Sequence, residues 1–477
     1  MKIRAGMGNI KIEEFAELCG GVVCGNFDTE ETVFSYVCTD SREADADTLF
    51  IAIPGENVDG HDYMLSAAEN GCRCFLCERV PEELVESDLP FAAVTSENTI
   101  CAFGEFVRAY TEFRSKKTVA VTGSVGKTTT KEFLSAVLSE RFCVHKTDAN
   151  HNSIIGMPMS LLAMEPEQEV MVAEMGMSSS GEISFMSKIA RPDIACITNI
   201  GTSHLESLGT RENISRAKLE IADGLTKDGL LILNGDEPLL FSTHRAGIRT
   251  VYVALENPRA DFRAINIRFD ERGTFFDICH GDEIIHDFRV NVLGKQYVWA
   301  AMFAVAAGLE LGMDMASIRN GLLHFENAAM RQNICEYHGI TIVEDCYNAS
   351  PESMKAAADL LKILAGKRDG ARRVALLGDM RELGENSSAY HKNVGRYFAM
   401  TGTGVLFTVG LLAKDIALGA VLAGMAEDAV TICTDPEDRE TISDIVAKAL
   451  KPGDILLVKA SRAIGAEKIL ELIRQKI

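Results

Sequence analysis

Residues 118–133 read TVAVTGSVGKTTTKEF, and this stretch decides how the rest of the chain is understood. Residues 118–122 are apolar or β-branched and read as a buried strand. Phe133, Leu134, Val137 and Leu138 then recur on one face of a helix. Between strand and helix, Gly123 and Gly126 let the backbone curl tightly, so that successive amides and the helix N-terminus can face a phosphate. Lys127 is placed to reach β and γ phosphates and Thr128 to hold Mg²⁺ through its hydroxyl. Gly123, Ser124, Val125, Gly126, Lys127, Thr128 and Thr129 are therefore the candidate nucleotide-binding residues. The common phosphate-loop pattern G-x-x-x-x-G-K-[ST] would put glycine at position 121, where this chain has Val121.

The chain has 477 residues, 47% hydrophobic and 25% charged, which suits a globular protein. At roughly 150 residues per domain that length suggests about three domains. A net charge of -21 argues against nucleic acid or an anionic membrane surface as a main partner, since both reward clustered Lys and Arg. No apolar run approaches the roughly 18 residues of a membrane span, and residues 1–20 lack the unbroken apolar stretch of a signal peptide, so we expect a cytoplasmic protein without stable membrane association. The 13 cysteines show no recurrent spacing and suit reduced thiols. Cys72, Cys74 and Cys77 lack a plausible fourth zinc ligand and read as small buried residues on a strand.

Strand candidates alternate with helical stretches along the whole chain. They fall at 48–53, 72–77 and 91–94, then at 119–122, 170–174, 194–199 and 230–234, then at 340–344, 374–377, 405–409, 430–433 and 455–459. Such alternation implies mainly parallel sheets covered by helices on both faces. The expected organisation is α/β in three domains: a small N-terminal α/β domain over 1–114, a central P-loop ATPase domain with a mainly parallel sheet over 115–328, and a C-terminal Rossmann-like domain over 329–477. The sequence GTGV at 402–405 precedes a strand instead of following one, so it is no dinucleotide fingerprint.

Beyond the loop, NHNSIIGMPMSLL (150–162), VAEMGMSSSGEI (172–183), ITNIGTSHLESLGT (197–210) and RAKLEIADGL (216–225) resemble, in order, the central domain of the Mur ligase family, ATP-dependent amide ligases of peptidoglycan assembly. Loops of the form G-[ST]-x-G-K-[ST] are usual in that family, which accounts for Val121. The resemblance implies metal binding by Thr128, Glu174, His204 and Lys218, the last as a carbamate, with Lys127, Glu174, His204 and Lys218 carrying the catalysis. It also implies substrate contacts from Asn150 and Asn152, although Ser153 and Ile154 stand where a further Asn and Asp are often seen.

The C-terminal third extends the resemblance. VEDCYNASPESMKAA (343–357) is similar to the signature D-x-Y-N-A-N-P-x-S-M of the branch that adds D-alanyl-D-alanine, with Ser350 at an Asn position. Asp345 ends a strand, Ser350 can cap a helix and Pro351 suits its first turn. ALLGDMRELG (375–384), His391 and DILLVKASR (454–462) also match. From these, Arg331 and Asp345 are implied at the nucleotide, and Tyr347 and Asn348 at the substrate. CTDSRE (38–43) and IPGENVDGHDY (53–63) resemble the uridine-nucleotide segment, implying contacts from Ser41, Arg42, Gly60 and His61, with Asp40 holding the loop.

What the resemblance implies as a whole is a monomeric enzyme. With ATP and Mg²⁺ it phosphorylates the terminal carboxylate of UDP-N-acetylmuramoyl-tripeptide, and the amine of D-alanyl-D-alanine then attacks the acyl phosphate. GKQYVWAAMFA (294–304) departs from the family by carrying Gln296 for His and Ala300 for Asn. That departure keeps a non-catalytic, nucleotide-sensing relative open as an alternative. A related ligase such as a folylpolyglutamate synthetase is the other.

Overall fold

A computed structural model describes residues 1–477 apart from 7, 28–31, 56–57, 113–115, 149–150, 244–246 and 369. Three large sheets organise the chain, beside a two-stranded one of Ile10–Lys11 and Val33–Phe34. The first has the strand order Lys2–Arg4, Tyr36–Cys38, Thr48–Ile51, Cys74–Cys77, Ala92–Thr95, Val22–Gly25, parallel inside and antiparallel at both edges. Cys72, Cys74 and Cys77 are buried here, and burial raises all three thiols well above their ordinary range. All 13 cysteines are free.

The second sheet has nine strands in the order Val144–Lys146, Val170–Glu174, Lys117–Thr122, Ile194–Ile197, Leu230–Asn234, Arg249–Ala254, Phe262–Asp270, Gly273–His280, Glu283–Val290. Its first seven strands run parallel. The last three form an antiparallel ribbon that the sequence reading left out. Their signal is a period-2 alternation broken by Gly273 and Gly281, both at positive φ. The third sheet runs Asn333–Tyr337, Ile340–Asp345, Ile455–Lys459, Arg373–Gly378, Val405–Val409, Val430–Cys433, parallel except at its first strand. This is a three-domain α/β fold.

Packing differs on the two faces of the central sheet. On one, the helix Lys127–Leu138 buries Phe133, Leu134, Val137 and Leu138 against Val121, Phe303 and Ile318. On the other, the helix Thr99–Glu112 brings Phe103 and Phe106 onto Met171, Ile183 and Met186, so the N-terminal and central domains share one apolar core. Gly104 permits that approach: a methyl group there would lie 2.7 Å from the Phe185 ring. The C-terminal sheet has its own cores on its two faces.

Candidate active site

The phosphate loop leaves the third strand of the central sheet, flanked by strands on both sides, where the backbone is most rigidly held. Gly123 sits at φ 152°, and a methyl group on it would lie 1.9 Å from the Thr198 hydroxyl, so only glycine fits. Gly126, at φ 81°, caps the helix Lys127–Leu138. Residues after the neighbouring strand fasten the loop. Asn199 Oδ1 accepts the Ser124 and Val125 amides at 3.1 and 3.0 Å, Thr198 Oγ1 donates to the Val125 carbonyl at 2.6 Å, and Ser124 Oγ accepts the Gly201 amide at 2.9 Å. The first amides of the helix lack intrahelical partners and, with the helix dipole, favour an anion. Lys127 Nζ donates to the Gly123 carbonyl at 2.8 Å. Burial lowers its pKa, Glu174 opposes that shift and the Arg331 charge adds to it.

Beside the loop, Thr128 Oγ1 donates to Glu174 Oε2 at 2.9 Å and Asn152 Nδ2 donates to Glu174 Oε1 at 2.9 Å. Lys131, wholly buried, donates to the Thr147 carbonyl at 2.8 Å and lies 3.9 Å from Glu174 Oε2. Among the described residues no group of three or more His, Cys, Asp and Glu side chains is arranged to hold a metal ion. A hydroxyl and a carboxylate this close are nonetheless hard oxygen donors of the kind Mg²⁺ takes when phosphate and water complete its shell. The donor set therefore fits the ion.

His204 lies farther along, at φ 65° on the cap of the short helix Leu205–Leu208, with Nδ1 2.7 Å from Glu382 Oε2. Lys218, on the helix Arg211–Leu219, is 1% exposed. Its pKa is driven well below the usual lysine range by burial and then by the Lys127 charge. A neutral amine is the form that can add carbon dioxide, so the environment suits a carbamate. Neither residue lines the main cleft.

That cleft, about 540 Å³, is walled by Lys127, Thr128, Asn152 and Glu174 on one side and by Arg331, Asp345, Tyr347 and Asn348 on the other. The Arg331 guanidinium stacks over the Tyr347 ring at 4.1 Å. Asp345 is ion-paired with Lys459 at 2.8 Å, and Lys459 also donates to the Asn348 carbonyl at 3.0 Å, so this strand end is locked before any ligand arrives. Gln296 and Ala300 line the far end, where Gln296 Nε2 donates to Gln332 Oε1 at 2.7 Å.

Other sequence candidates lie elsewhere. Ser350 caps the helix Pro351–Ala365 with Pro351 in its first turn, as the sequence suggested. His391 is buried, its Nε2 accepting the Met380 amide at 3.0 Å. Ser41, Arg42, Gly60 and His61 belong to the N-terminal domain and do not line the cleft. Asn150 lies outside the described residues. Sequence reasoning missed Thr198, Asn199 and Asn234, whose Nδ2 donates to the Thr198 carbonyl at 2.9 Å. Their signal was faint: small polar residues just past apolar strands.

A phosphate loop beside a hydroxyl–carboxylate pair, facing an arginine from a second α/β domain, defines a nucleotide-dependent transfer enzyme whose site is completed between domains. Family comparisons specify the class. Residues 33–111 match the Mur ligase family catalytic domain, 121–308 the Mur ligase middle domain and 330–462 the Mur ligase glutamate ligase domain. The chain is 38% identical to the UDP-N-acetylmuramoyl-tripeptide–D-alanyl-D-alanine ligase of Bacillus subtilis, over 96% of this chain and 97% of that one. Among solved structures it is similar to MurF from Acinetobacter baumannii, with TM-score 0.87 and 28% identity over 98% of this chain and 99% of that one. It is also similar to MurF ligase from Thermotoga maritima in complex with ADP, with TM-score 0.80 and 28% identity over 92% and 97%. The chain belongs to the Mur ligase family.

Proposed function

We propose that this chain is an ATP-dependent ligase joining D-alanyl-D-alanine to UDP-N-acetylmuramoyl-tripeptide, giving the UDP-muramoyl-pentapeptide precursor of peptidoglycan. The observation that carries this reading is the two-sided cleft, which Lys127 lines from the central domain and Arg331 from the C-terminal one. Together they neutralise charge on a transferring phosphoryl group. The peptide carboxylate attacks the γ phosphorus, a C–O–P bond forms and ADP leaves. The amine then attacks the carbonyl carbon, the C–N bond forms, phosphate departs and the amine proton is lost. Bound Mg²⁺ supplies charge neutralisation at the phosphates. Thr128 and Glu174 are the residues that would hold it, and we assign His204 and carbamylated Lys218 as further ligands although neither lines the cleft.

Gly123 to Thr129 cradle the nucleotide phosphates, and Asp345 anchors the strand end from which Tyr347 and Asn348 reach the substrate. We assign substrate contacts to Asn152 and, from the resemblance alone, to Asn150, and the uridine nucleotide to the segment of Ser41, Arg42, Gly60 and His61. We divide the chain at 1–114, 115–328 and 329–477, a division supported by one large sheet in each part. Among the described residues no helix is long and apolar enough to cross a membrane. We place the protein in the cytoplasm, where ATP and UDP-linked precursors are available. The test is phosphate release from ATP with the UDP-tripeptide, with and without D-alanyl-D-alanine. Release that needs both substrates and yields the pentapeptide supports the reading; ATP binding without release rejects it.

A further inference from the structure

The central domain is joined to its two neighbours by different means. Its contact with the N-terminal domain is a continuous apolar core, whereas the C-terminal domain's cores take in only Leu293 from the central domain and the two domains otherwise meet through polar groups. One of these, making two bonds to a single residue, is Glu352. Its Oε1 accepts the Thr202 amide and the Thr202 hydroxyl, each at 3.1 Å, and its Oε2 lies 3.4 Å from the same hydroxyl. Glu352 stands in the first turn of the helix Pro351–Ala365, which the Ser350 capping box holds, so its carboxylate extends from a rigid base. Behind Thr202 there is no slack. A methyl group at Gly201 would lie 3.0 Å from both Glu352 Cδ and Ser124 Cβ, and the Gly201 amide is itself bonded to Ser124. A second contact reinforces the first: the Glu382 carbonyl accepts the Glu206 amide at 3.3 Å.

We propose that Glu352 is a positioning residue, the latch by which the C-terminal domain seats on Thr202 and, through Gly201 and Ser124, fixes the phosphate loop while Arg331 is brought over the cleft. Both carboxylate oxygens are turned to Thr202, so Glu352 acts as an acceptor of hydrogen bonds and not as a base. The turnover part of the test rests on the ligase reading above; the conformational part does not.

The experiment compares Glu352→Ala, Glu352→Gln and Thr202→Val with the wild type. Glutamine keeps one oxygen to accept the Thr202 amide, and alanine keeps none. Glu352→Ala should lower kcat about tenfold, the size expected for losing a charged hydrogen bond, while the ADP dissociation constant stays within about twofold. Its radius of gyration with ADP, by small-angle scattering, should exceed that of the wild type. Glu352→Gln should stay within about threefold of wild-type turnover. Adding Thr202→Val to Glu352→Ala should cost less than the two single losses combined, because both remove one contact. Wild-type turnover in Glu352→Ala, or a Glu352→Gln enzyme as slow as the alanine variant, overturns the latch. If Glu352→Ala does not fold, Glu352→Ser, which also loses the carboxylate, replaces it, and unchanged scattering and turnover there overturns the latch; Thr202→Val loses only the hydroxyl bond and keeps the amide one. A wild type that compacts with ADP but never ligates rejects the functional reading and leaves the scattering comparison to decide the latch.

Discussion

The central cleft and the N-terminal recognition segment were both marked by family motifs, yet their side chains are used in opposite ways. In the cleft, Lys127, Thr128, Glu174 and Arg331 converge on shared space. In the N-terminal domain the motif residues turn on one another. The Asp40 carboxylate accepts Arg42 Nε at 2.9 Å, Nη2 at 2.6 Å and the Arg42 amide at 3.0 Å, and these bonds hold it well below the usual carboxylate range. His61 is buried, its Nδ1 2.6 Å from Asp59 Oδ1 and its Nε2 accepting the Glu78 amide at 2.9 Å. The Nε2 bond fixes the tautomer, so Nδ1 donates. A motif thus records that a residue type is required, and only geometry tells whether chemistry or loop shape requires it. The comparison has a measurable form: substitutions in the cleft should abolish turnover and spare the fold, and those of buried side chains in the N-terminal loops, such as His61, should cost stability and spare turnover at saturating substrate.

The largest effect belongs to Lys127→Ala, which should lower ligation more than about a thousandfold, since it removes a charge aimed at the transferring phosphoryl group. Its thermal midpoint should stay near the wild type's. Lys218→Met should be as damaging to turnover, measured by phosphate release, and should raise the thermal midpoint in bicarbonate-free buffer. The sign follows from linkage. A lysine whose pKa is depressed in the fold opposes folding at any pH below its unfolded value near 10.4, and methionine removes that cost. A lowered midpoint would show that the lysine holds the fold together. Glu174→Gln comes next: about a hundredfold in kcat with a higher Mg²⁺ requirement, because a neutral amide is a poorer ligand than a carboxylate.

How much of this was legible beforehand follows the same divide. Most of the parallel strands and the phosphate loop were readable because buried apolar runs and paired glycines leave a local trace, whereas the short or half-exposed Tyr36–Cys38, Val144–Lys146 and Arg249–Ala254 were not among the candidates. Glu174 was readable as an acid closing an apolar strand. The antiparallel ribbon Phe262–Val290 was missed because one of its faces is wet and its apolar content is diluted by Arg, Asp and Glu. Asn199, Thr198 and Glu352 were missed for another reason: their partners lie far away along the chain, 73 to 150 positions off, and no local pattern encodes such a contact. Gln296 was noted as a departure from the family, but its bond to Gln332 is visible only once two domains are folded together.

In the N-terminal domain the expected losses are of stability. His61→Phe leaves the Asp59 carboxylate and the Glu78 amide without the ring, which should cost about 2 kcal/mol in denaturant unfolding. Turnover at saturating substrate should change little. The loop also has a pH signature. The His61 amide, then Arg79 and the His61 ring, hold the Asp59 pKa below its ordinary value. A depressed carboxylate stabilises the fold fully above its unfolded pKa near 3.9, and that contribution is lost as the pH falls below it. Unfolding of the wild type should therefore steepen below about pH 4, and His61→Phe should show a shallower slope there, with part of the interaction already gone. Equal slopes would mean that the His61 amide and Arg79 hold Asp59 without the ring.

The smallest expected effect is also the sharpest test of the comparison. Arg42 is exposed, and its partner Asp40 keeps the loop through backbone contact when the guanidinium is removed. Arg42→Ala should accordingly leave the thermal midpoint unmoved, because exposed ion pairs contribute little. If the side chain serves only its own loop, the kinetic constants will not move either, and the N-terminal motif reduces to local structure. If it also meets the UDP-linked substrate, KM for that substrate will rise several-fold while KM for ATP and for D-alanyl-D-alanine holds, since a surface charge contact of this kind adds affinity and not chemistry. That pattern would show one side chain serving loop shape and ligand at once, with the Asp40 contact presetting the guanidinium for an anion.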